Sequence, residues 1–172
     1  MKKIVLVIAV MIIGLSALCA ESSRLAYIYA DRIMTESKDA QEAQQLFQAD
    51  QAVWEKEVQE LDAEIERLQN EYETRKLTLA EAGKKEQENK IQKKIQDRQN
   101  IVQEILGENG KAAQRNAELL EPIMKKVNKA IAQVAIDNNF DMIIDASAGG
   151  LLYAKPALDV TDLVLEELNT ME

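Results

Sequence analysis

Residues 141–160 read DMIIDASAGGLLYAKPALDV, and this stretch near the end of the chain decides the fold. Met142–Ala146 and Leu151–Ala154 are short apolar runs, which predicts two strands. Between them SAGG supplies flexible backbone, so we expect a β-hairpin with its corner at Gly149–Gly150. A phosphate-binding loop is not expected there, because it would need further glycines, a lysine and a following helix N-terminus in a set order.

Two further segments belong with this β-hairpin. Leu25–Tyr29 has the aromatic and branched residues of a third strand, and a helix follows it with Thr35 or Ser37 as its cap. Such a small sheet leaves its edges unpaired and buries little, so we expect several copies to associate. A terminal helix begins at Asp159 or Thr161, and its expected packing face carries Leu163, Val164 and Leu168.

Residues 35–138 lie between the strands and are dominated by strong helix formers. Apolar residues spaced by three and four form one seam before Gly83 and a second, less regular seam after it. Gly83 is the best candidate for a turn, which predicts an antiparallel coiled-coil hairpin with arms Thr35–Ala82 and Lys84–Asn138. The alternative is one continuous helix across Gly83, which would leave both seams facing nothing.

Three residues should perturb the second arm. Gly107 and Gly110 are poor helix formers, so the helix is expected to bend or fray there. Pro122 removes a backbone hydrogen bond and is expected to kink the helix. The kink is interpreted as a bend that fits the arm to its base, and a hinge that lets the arms open is the alternative.

The first twenty residues have the form of a cleaved secretory signal peptide. Lys2 and Lys3 precede the apolar run Ile4–Ile13, and small residues follow it. We therefore expect an exported protein, cleaved after Ala20 or after Cys19. A lipoprotein acylated at Cys19 is the second interpretation, because Leu18 stands where a lipobox wants a small residue; an uncleaved anchor is the third.

The composition excludes several classes of function. The chain has no histidine, and Cys19 is its single cysteine. Common proton shuttles, most zinc sites and familiar nucleophile–base pairs therefore have no residues to use, so we expect no enzyme, no catalytic residues, no cofactor and no metal. The net charge of −9 argues against nucleic acid as a partner. One segment, Arg75–Arg98, is locally basic.

Three motifs together resemble one known family, the periplasmic chaperones called Skp or OmpH. They are LAYIYADRIMTES near the start, AEAGKK at the expected tip, and NFDMIIDASAGGLLYAKPALDVTDLVLEELN at the end. The resemblance implies a homotrimer whose strands form a small body from which helical arms enclose a cavity. It also implies an ATP-independent holdase that binds unfolded outer-membrane β-barrel proteins in the periplasm. The alternative function is a structural coiled-coil spacer or adaptor of the cell envelope.

The resulting fold class is mainly α with a small β part. It consists of a long antiparallel α-helical coiled-coil hairpin, residues 35–138, on a β body, residues 21–34 plus 139–172, that trimerises. The residues expected in the trimer body are Leu25, Tyr27, Ile28, Met142, Ile143, Ile144, Leu151, Leu152 and Tyr153.

Client or membrane contact is expected at the tip of the helical hairpin. Trp54 and Tyr72 fall on the heptad seam and are interpreted as core, whereas residues flanking the tip lie off the seam. The best-known members of the family are basic overall, but here the first arm is acidic. The hypothesis is therefore that the tip alone makes weak contact with anionic membrane or client, and a solvated helix end is the alternative. The candidate contact residues are Leu77, Leu79, Lys84, Lys85, Lys93 and Lys94.

Overall fold

The computed structural model describes residues 23–171, so the expected signal peptide lies outside the described residues. The described chain forms five α-helices, two strands and one 3-10 turn. In chain order they are β1 (Leu25–Ile28), α1 (Ala30–Glu36), α2 (Lys38–Arg75), α3 (Glu81–Leu106), α4 (Lys111–Asp137), β2 (Met142–Asp145), the 3-10 turn (Pro156–Leu158) and α5 (Thr161–Thr170). This confirms a mainly helical chain with a small sheet. We call α2 the first arm, α3 with α4 the second arm, and the remaining described elements the body.

The arms form the antiparallel helical hairpin that the seams predict. Ser37 starts the first arm: its buried Oγ accepts a hydrogen bond from the Ala40 backbone N–H at 3.3 Å. The first arm then packs along α3 and, nearer the body, along α4. The alternative of one continuous helix is therefore wrong.

The turn at the tip lies at residues 76–80, not at Gly83. The first arm ends at Arg75, whose carbonyl accepts hydrogen bonds from the N–H of Thr78 and Leu79 and from the Thr78 hydroxyl at 2.8 Å. A threonine hydroxyl that competes for a carbonyl in this way favours ending a helix. Gly83 lies in the first turn of α3, where a glycine is tolerated.

The helix was expected to bend or fray at Gly107 and Gly110, and the disturbance is larger than that: the second arm is two helices separated by residues 107–110. A Cβ on Gly110 would lie 2.5 Å from the Ile105 carbonyl oxygen, and one on Gly107 would lie 2.4 Å from that of Gln103. The chain therefore turns too tightly here for any side chain. Farther along the second arm, α4 continues through Pro122 without ending.

The sheet differs from the predicted β-hairpin. β1 and β2 pair in parallel, with Leu25 opposite Met142 and Ile28 opposite Asp145. Residues 151–155 form no strand within the described chain, so the expected pairing of Leu151–Ala154 with Met142–Ala146 is wrong. The segment after β2 instead docks on the start of α1, where Ala30 N–H donates to Asp145 Oδ1 at 3.2 Å.

β1 is the central element of the body. We call residues 139–169, the third motif of the sequence, the closing motif. Part of it covers the edge of β1 opposite β2, where Tyr27 forms a parallel bridge with Asp159 and Val160 N–H donates to the Tyr27 carbonyl at 2.9 Å. Asp159 Oδ1 in turn accepts from the backbone N–H of Thr161, which starts α5. The motif therefore closes the body around the first strand.

One apolar core joins the body to the base of the arms. It combines residues of β1, α1, both arms and α5: Ala26, Ile28, Ile33, Ala43, Ile123, Val127, Ala130, Val134, Val160, Val164, Leu165 and Leu168. Val164 and Leu168 of α5 are buried as expected. Leu163 is exposed, because the buried face of this helix follows positions 161, 164, 165 and 168.

Candidate functional site

The two arms are held together by ion pairs of one polarity. In every pair that crosses between them among the described residues, the cation lies on the second arm and the carboxylate on the first. The pairs are Lys94–Glu64 at 2.8 Å, Arg98–Asp62 at 2.5 Å, Arg115–Asp50 at 2.7 Å and Lys126–Asp39 at 2.7 Å. Four cationic side chains of the second arm are therefore paired with carboxylates of the first arm.

Nearer the tip, a hydrogen bond between side chains adds to these pairs. Tyr72 donates its hydroxyl proton to Glu88 Oε1 across the arms at 2.5 Å, and this bond raises the pKa of Tyr72 to about 12. The Asp62 carboxylate is held by Arg98, which lowers the pKa of Asp62 and raises that of Arg98. The arms thus have a fixed register from tip to base.

The tip exposes one large apolar side chain and few free cations. Leu77 is 93% exposed, whereas Leu79 is half-buried and lies over Gly83. Two of the four expected tip lysines are already paired, Lys84 with Glu81 at 2.7 Å and Lys94 with Glu64. Lys85 and Lys93 form no ion pair within the described chain. The cationic character of the tip is therefore weaker than the sequence indicates.

The body exposes the part of the closing motif that was expected to be a strand. Leu152 is 97% exposed and Tyr153 is 82% exposed, in a segment without helix or strand. The first rung of the sheet also exposes Leu25 and Met142. Tyr27 and Ile28 are buried inside the single chain, and Ile143, Ile144 and Leu151 are half-buried. Within the described chain β2 pairs with β1 alone, so its other edge is open.

The loop that carries Gly149–Gly150 is anchored to the body at its first residues. Ser147 Oγ donates to Asp31 Oδ1 at 2.7 Å and accepts from the Asp31 backbone N–H at 3.2 Å. The bond from Ser147 lowers the pKa of Asp31. Gly149 has φ +79°, the left-handed backbone expected at a corner, and a Cβ there would meet nothing within 4 Å. The double glycine thus makes a turn in open solvent.

An apolar groove between the arms was not foreseen as a site. It lies where the second arm breaks at residues 107–110 and has a volume of about 630 Å³. Its apolar lining is Trp54, Val58, Val102, Ile105, Leu106 and Ala112. Trp54 packs edge-on against Phe47, 6.2 Å between ring centroids, as a seam residue should, yet its indole also faces the groove. Leu106 is 71% exposed.

The glycines at positions 107 and 110 were the sequence signal for this groove. They predict a break in the second arm, but which residues a break uncovers depends on the partner helix. Val53, next to Trp54 in the sequence, is 65% exposed but does not line the groove.

Within residues 23–171 no group of His, Cys, Asp or Glu side chains is arranged to hold a metal ion. In the same part of the chain no helix combines the length and apolarity that crossing a bilayer requires.

The fold and these surfaces define a class of protein in which a long helical hairpin, with exposed apolar patches, projects from a small β body. The chain belongs to the OmpH-like family: the family model described as "Outer membrane protein (OmpH-like)" matches residues 24–168. No curated protein matches the chain by sequence.

Among solved structures, the chain is similar to a proposed OmpH-like outer membrane chaperone from Caulobacter crescentus CB15, a crystal structure at 2.83 Å resolution. The two are 18% identical and superpose with a TM-score of 0.77, over 87% of this chain and 85% of the other. At this identity the similarity is one of fold.

Proposed function

We propose that this protein is an ATP-independent holdase chaperone of the periplasm that binds unfolded outer-membrane β-barrel proteins and performs no bond chemistry. Membership of the OmpH-like family supports a chaperone role. The observation that carries the proposal is the apolar surface left on the arms, at Leu77 on the tip and at the groove that contains Trp54 and Leu106. Exposed apolar patches on a soluble fold mark surfaces that bind other chains.

We further propose that the working form is a homotrimer. A two-stranded sheet with a free edge is marginally stable on its own, and Leu152 and Tyr153 expose large apolar side chains in the segment that follows β2. Residues 151–155 have no strand partner within the described chain, so they can add to the β2 edge of another copy. Association would bury both features at once.

The test is refolding. A denatured outer-membrane β-barrel protein is diluted from urea with and without the chain, in the absence of nucleotide, and light scattering follows aggregation. A holdase suppresses aggregation at stoichiometric ratios, whereas a structural spacer or adaptor, the alternative, leaves it unchanged. The matched control is the double variant Leu152→Ser with Tyr153→Ser, which keeps the arms and weakens association. Loss of suppression in that variant alone would show that the trimer is needed.

The basic tip is proposed to make weak contact with anionic membrane. Its cations are limited to those outside the arm–arm and intrahelical pairs, among them Lys85 and Lys93 on α3, and the turn at the tip exposes Leu77. Lysines together with an exposed apolar side chain suit a lipid headgroup region. The corresponding variants are described in the Discussion.

A further inference from the structure

The groove at the break in the second arm is apolar inside and polar at its rim. Half-buried Trp54, Val58, Val102 and Ala112 line it, with buried Ile105 at its base and exposed Leu106 at its edge. Its volume of about 630 Å³ lies within the range of pockets that hold small ligands or a few side chains. This feature therefore offers room for a short apolar segment beside the indole of Trp54.

The rim carries an unbalanced negative charge. Arg98 faces the groove, but two of its three donor nitrogens, Nε and Nη2, are bonded to the carboxylate of Asp62, at 2.5 and 3.1 Å. Glu55, on the opposite rim, accepts a hydrogen bond from Gln59 at 3.1 Å and has no cation partner within the described chain. The cation at the rim is thus neutralised and the anion is not.

The charge of the whole first arm has the same sign. Lys38–Arg75 contains four Lys or Arg residues and eleven Asp or Glu residues, a net charge of −7. A second copy of this arm would bring the same charge to the groove and be repelled. An apolar segment flanked by lysine or arginine would be attracted. Charge complementarity therefore selects a cationic polypeptide over another copy of the chain.

We infer that this groove grips short apolar segments of unfolded clients that are flanked by basic residues, with Trp54 as the packing surface and Glu55 as the charge that selects the flank. The inference rests on the proposed holdase function and deepens it. Positively charged arms would prefer clients with acidic segments, whereas this groove prefers basic ones.

Trp54 is the only tryptophan of the chain, so its fluorescence reports the groove directly. The probes are two short peptides with one shared apolar, tryptophan-free core, flanked by lysines in one and by glutamates in the other. We expect the lysine-flanked peptide to shift Trp54 emission to shorter wavelength, because it excludes water from the indole. It should bind more tightly than the glutamate-flanked peptide, by roughly two- to fivefold for each flanking charge that meets Glu55, and added salt should narrow the difference.

Two pairs of variants distinguish binding in the groove from nonspecific effects of the charge and the apolar surface of the arms. Glu55→Lys should reduce the ratio of the affinity for the lysine-flanked peptide to that for the glutamate-flanked peptide. Glu57→Lys makes the same charge change on an exposed residue outside the groove, so it should reduce this ratio less, through long-range electrostatics alone. Leu106→Ser should weaken binding of the lysine-flanked peptide, and Trp54 fluorescence still measures that binding because the indole is unchanged. Val53→Ser is the matched control. Both leucine and valine are exposed, so neither change threatens folding.

The peptide experiment and the refolding experiment can fail independently of each other. If the chain suppresses aggregation but neither peptide changes Trp54 emission, the groove inference is overturned and the proposed function stands. Equal affinity for the two peptides also overturns it. So does Trp54 emission that still changes with protein concentration in the double variant Leu152→Ser with Tyr153→Ser, which would place a second copy in the groove. Selective peptide binding without suppression of aggregation would keep the groove as a peptide site and remove the holdase.

Discussion

Arg98 on the second arm holds Asp62 on the first with two hydrogen bonds, Nε to Oδ1 at 2.5 Å and Nη2 to Oδ2 at 3.1 Å. The fork geometry makes this the best-formed of the pairs between the arms, because a guanidinium can bond both carboxylate oxygens at once. It also removes the positive charge of Arg98 from the surface of the groove. The same contact therefore sets the register of the arms and the sign of their exposed charge.

Asp62→Asn should lower the melting temperature at neutral pH, and the loss should shrink in acid. Arg98 lowers the pKa of Asp62 from its ordinary value of 3.8, so this carboxylate contributes stability above about pH 3.8 that is lost as pH falls through its lower folded pKa. Thermal melts of parent and variant at neutral pH and below pH 3.8 measure this. Glu60→Gln, which breaks only the exposed Lys56–Glu60 pair within one helix, is the control and should change little. An equally large difference in melting temperature between parent and Asp62→Asn in acid would contradict a stabilising role for the ionised Asp62.

Two glycine-to-alanine changes should have opposite effects. At Gly83, inside α3, an added Cβ makes ordinary contact with Leu79 at 3.4 Å, so alanine should stabilise by about 0.4–1 kcal/mol. At Gly110 the Cβ would lie 2.5 Å from the Ile105 carbonyl oxygen, and relieving that overlap should cost about 1–3 kcal/mol. Urea denaturation of both variants compares them. Stabilisation by Gly110→Ala would mean that the break at residues 107–110 is not built as described.

Ser37→Ala should destabilise the chain by about 0.5–2 kcal/mol, because the first arm loses the side chain that caps it. Ser37 is buried and accepts from Ala40 N–H, so the freed donor finds no water. Thr35→Ala is the matched control: its exposed hydroxyl bonds carbonyls within α1, and its loss should be nearly neutral. The free energy of unfolding from denaturant titrations decides between the two, and equal losses would argue that Ser37 is not the cap.

The double variant Leu152→Ser with Tyr153→Ser should weaken self-association without unfolding the single chain. Both side chains are almost fully exposed in the monomer, so their loss removes little from its own core. Sedimentation over a range of concentrations measures the assembly, and circular dichroism checks that the helices remain. Leu77→Ser, an equally exposed leucine at the tip, is the control. Unchanged assembly in the double variant would remove this segment from the proposed trimer contact.

Charge reversal at the tip should depend on which lysines are reversed. Lys85→Glu with Lys93→Glu should reduce binding to vesicles that contain anionic lipid, because these two lysines form no ion pair within the described chain. Lys84→Glu with Lys94→Glu should reduce it less per charge and also loosen the arms, since both lysines are paired within the hairpin. Vesicle flotation measures binding, with neutral vesicles as the control. Unchanged binding in the first variant would leave the tip as a solvated helix end.

The helical part of the fold could be predicted because its signals are local. Seam spacing, the glycines at 107 and 110 and the cap at Ser37 each act within a few residues of chain. Strand partners are not local: Met142–Asp145 and Leu151–Ala154 read as neighbours, but β2 pairs with β1, whose residues come more than a hundred positions earlier. The tip was misplaced by a few residues because Gly83 is tolerated inside a helix, and Thr78 ends one without a glycine.

The candidate site was predicted least well where it depends on which charges meet. The basic run Arg75–Arg98 predicts a positive tip, yet Lys94 and Arg98 reach across to Glu64 and Asp62. A sequence shows how many charges a segment has, but not which of them another helix neutralises.

The central place of β1 has a consequence for the order of folding. Arg24 and Asp141 are joined by hydrogen bonds just before the first rung of the sheet although they stand 117 residues apart, and closing so long a loop without help is slow. The arms shorten that search, because each pair formed down the hairpin from the tip brings the two ends of the chain closer. The two arms therefore speed the pairing of β1 with β2, and a chain cut at the tip should assemble its body slowly even though every body residue is intact.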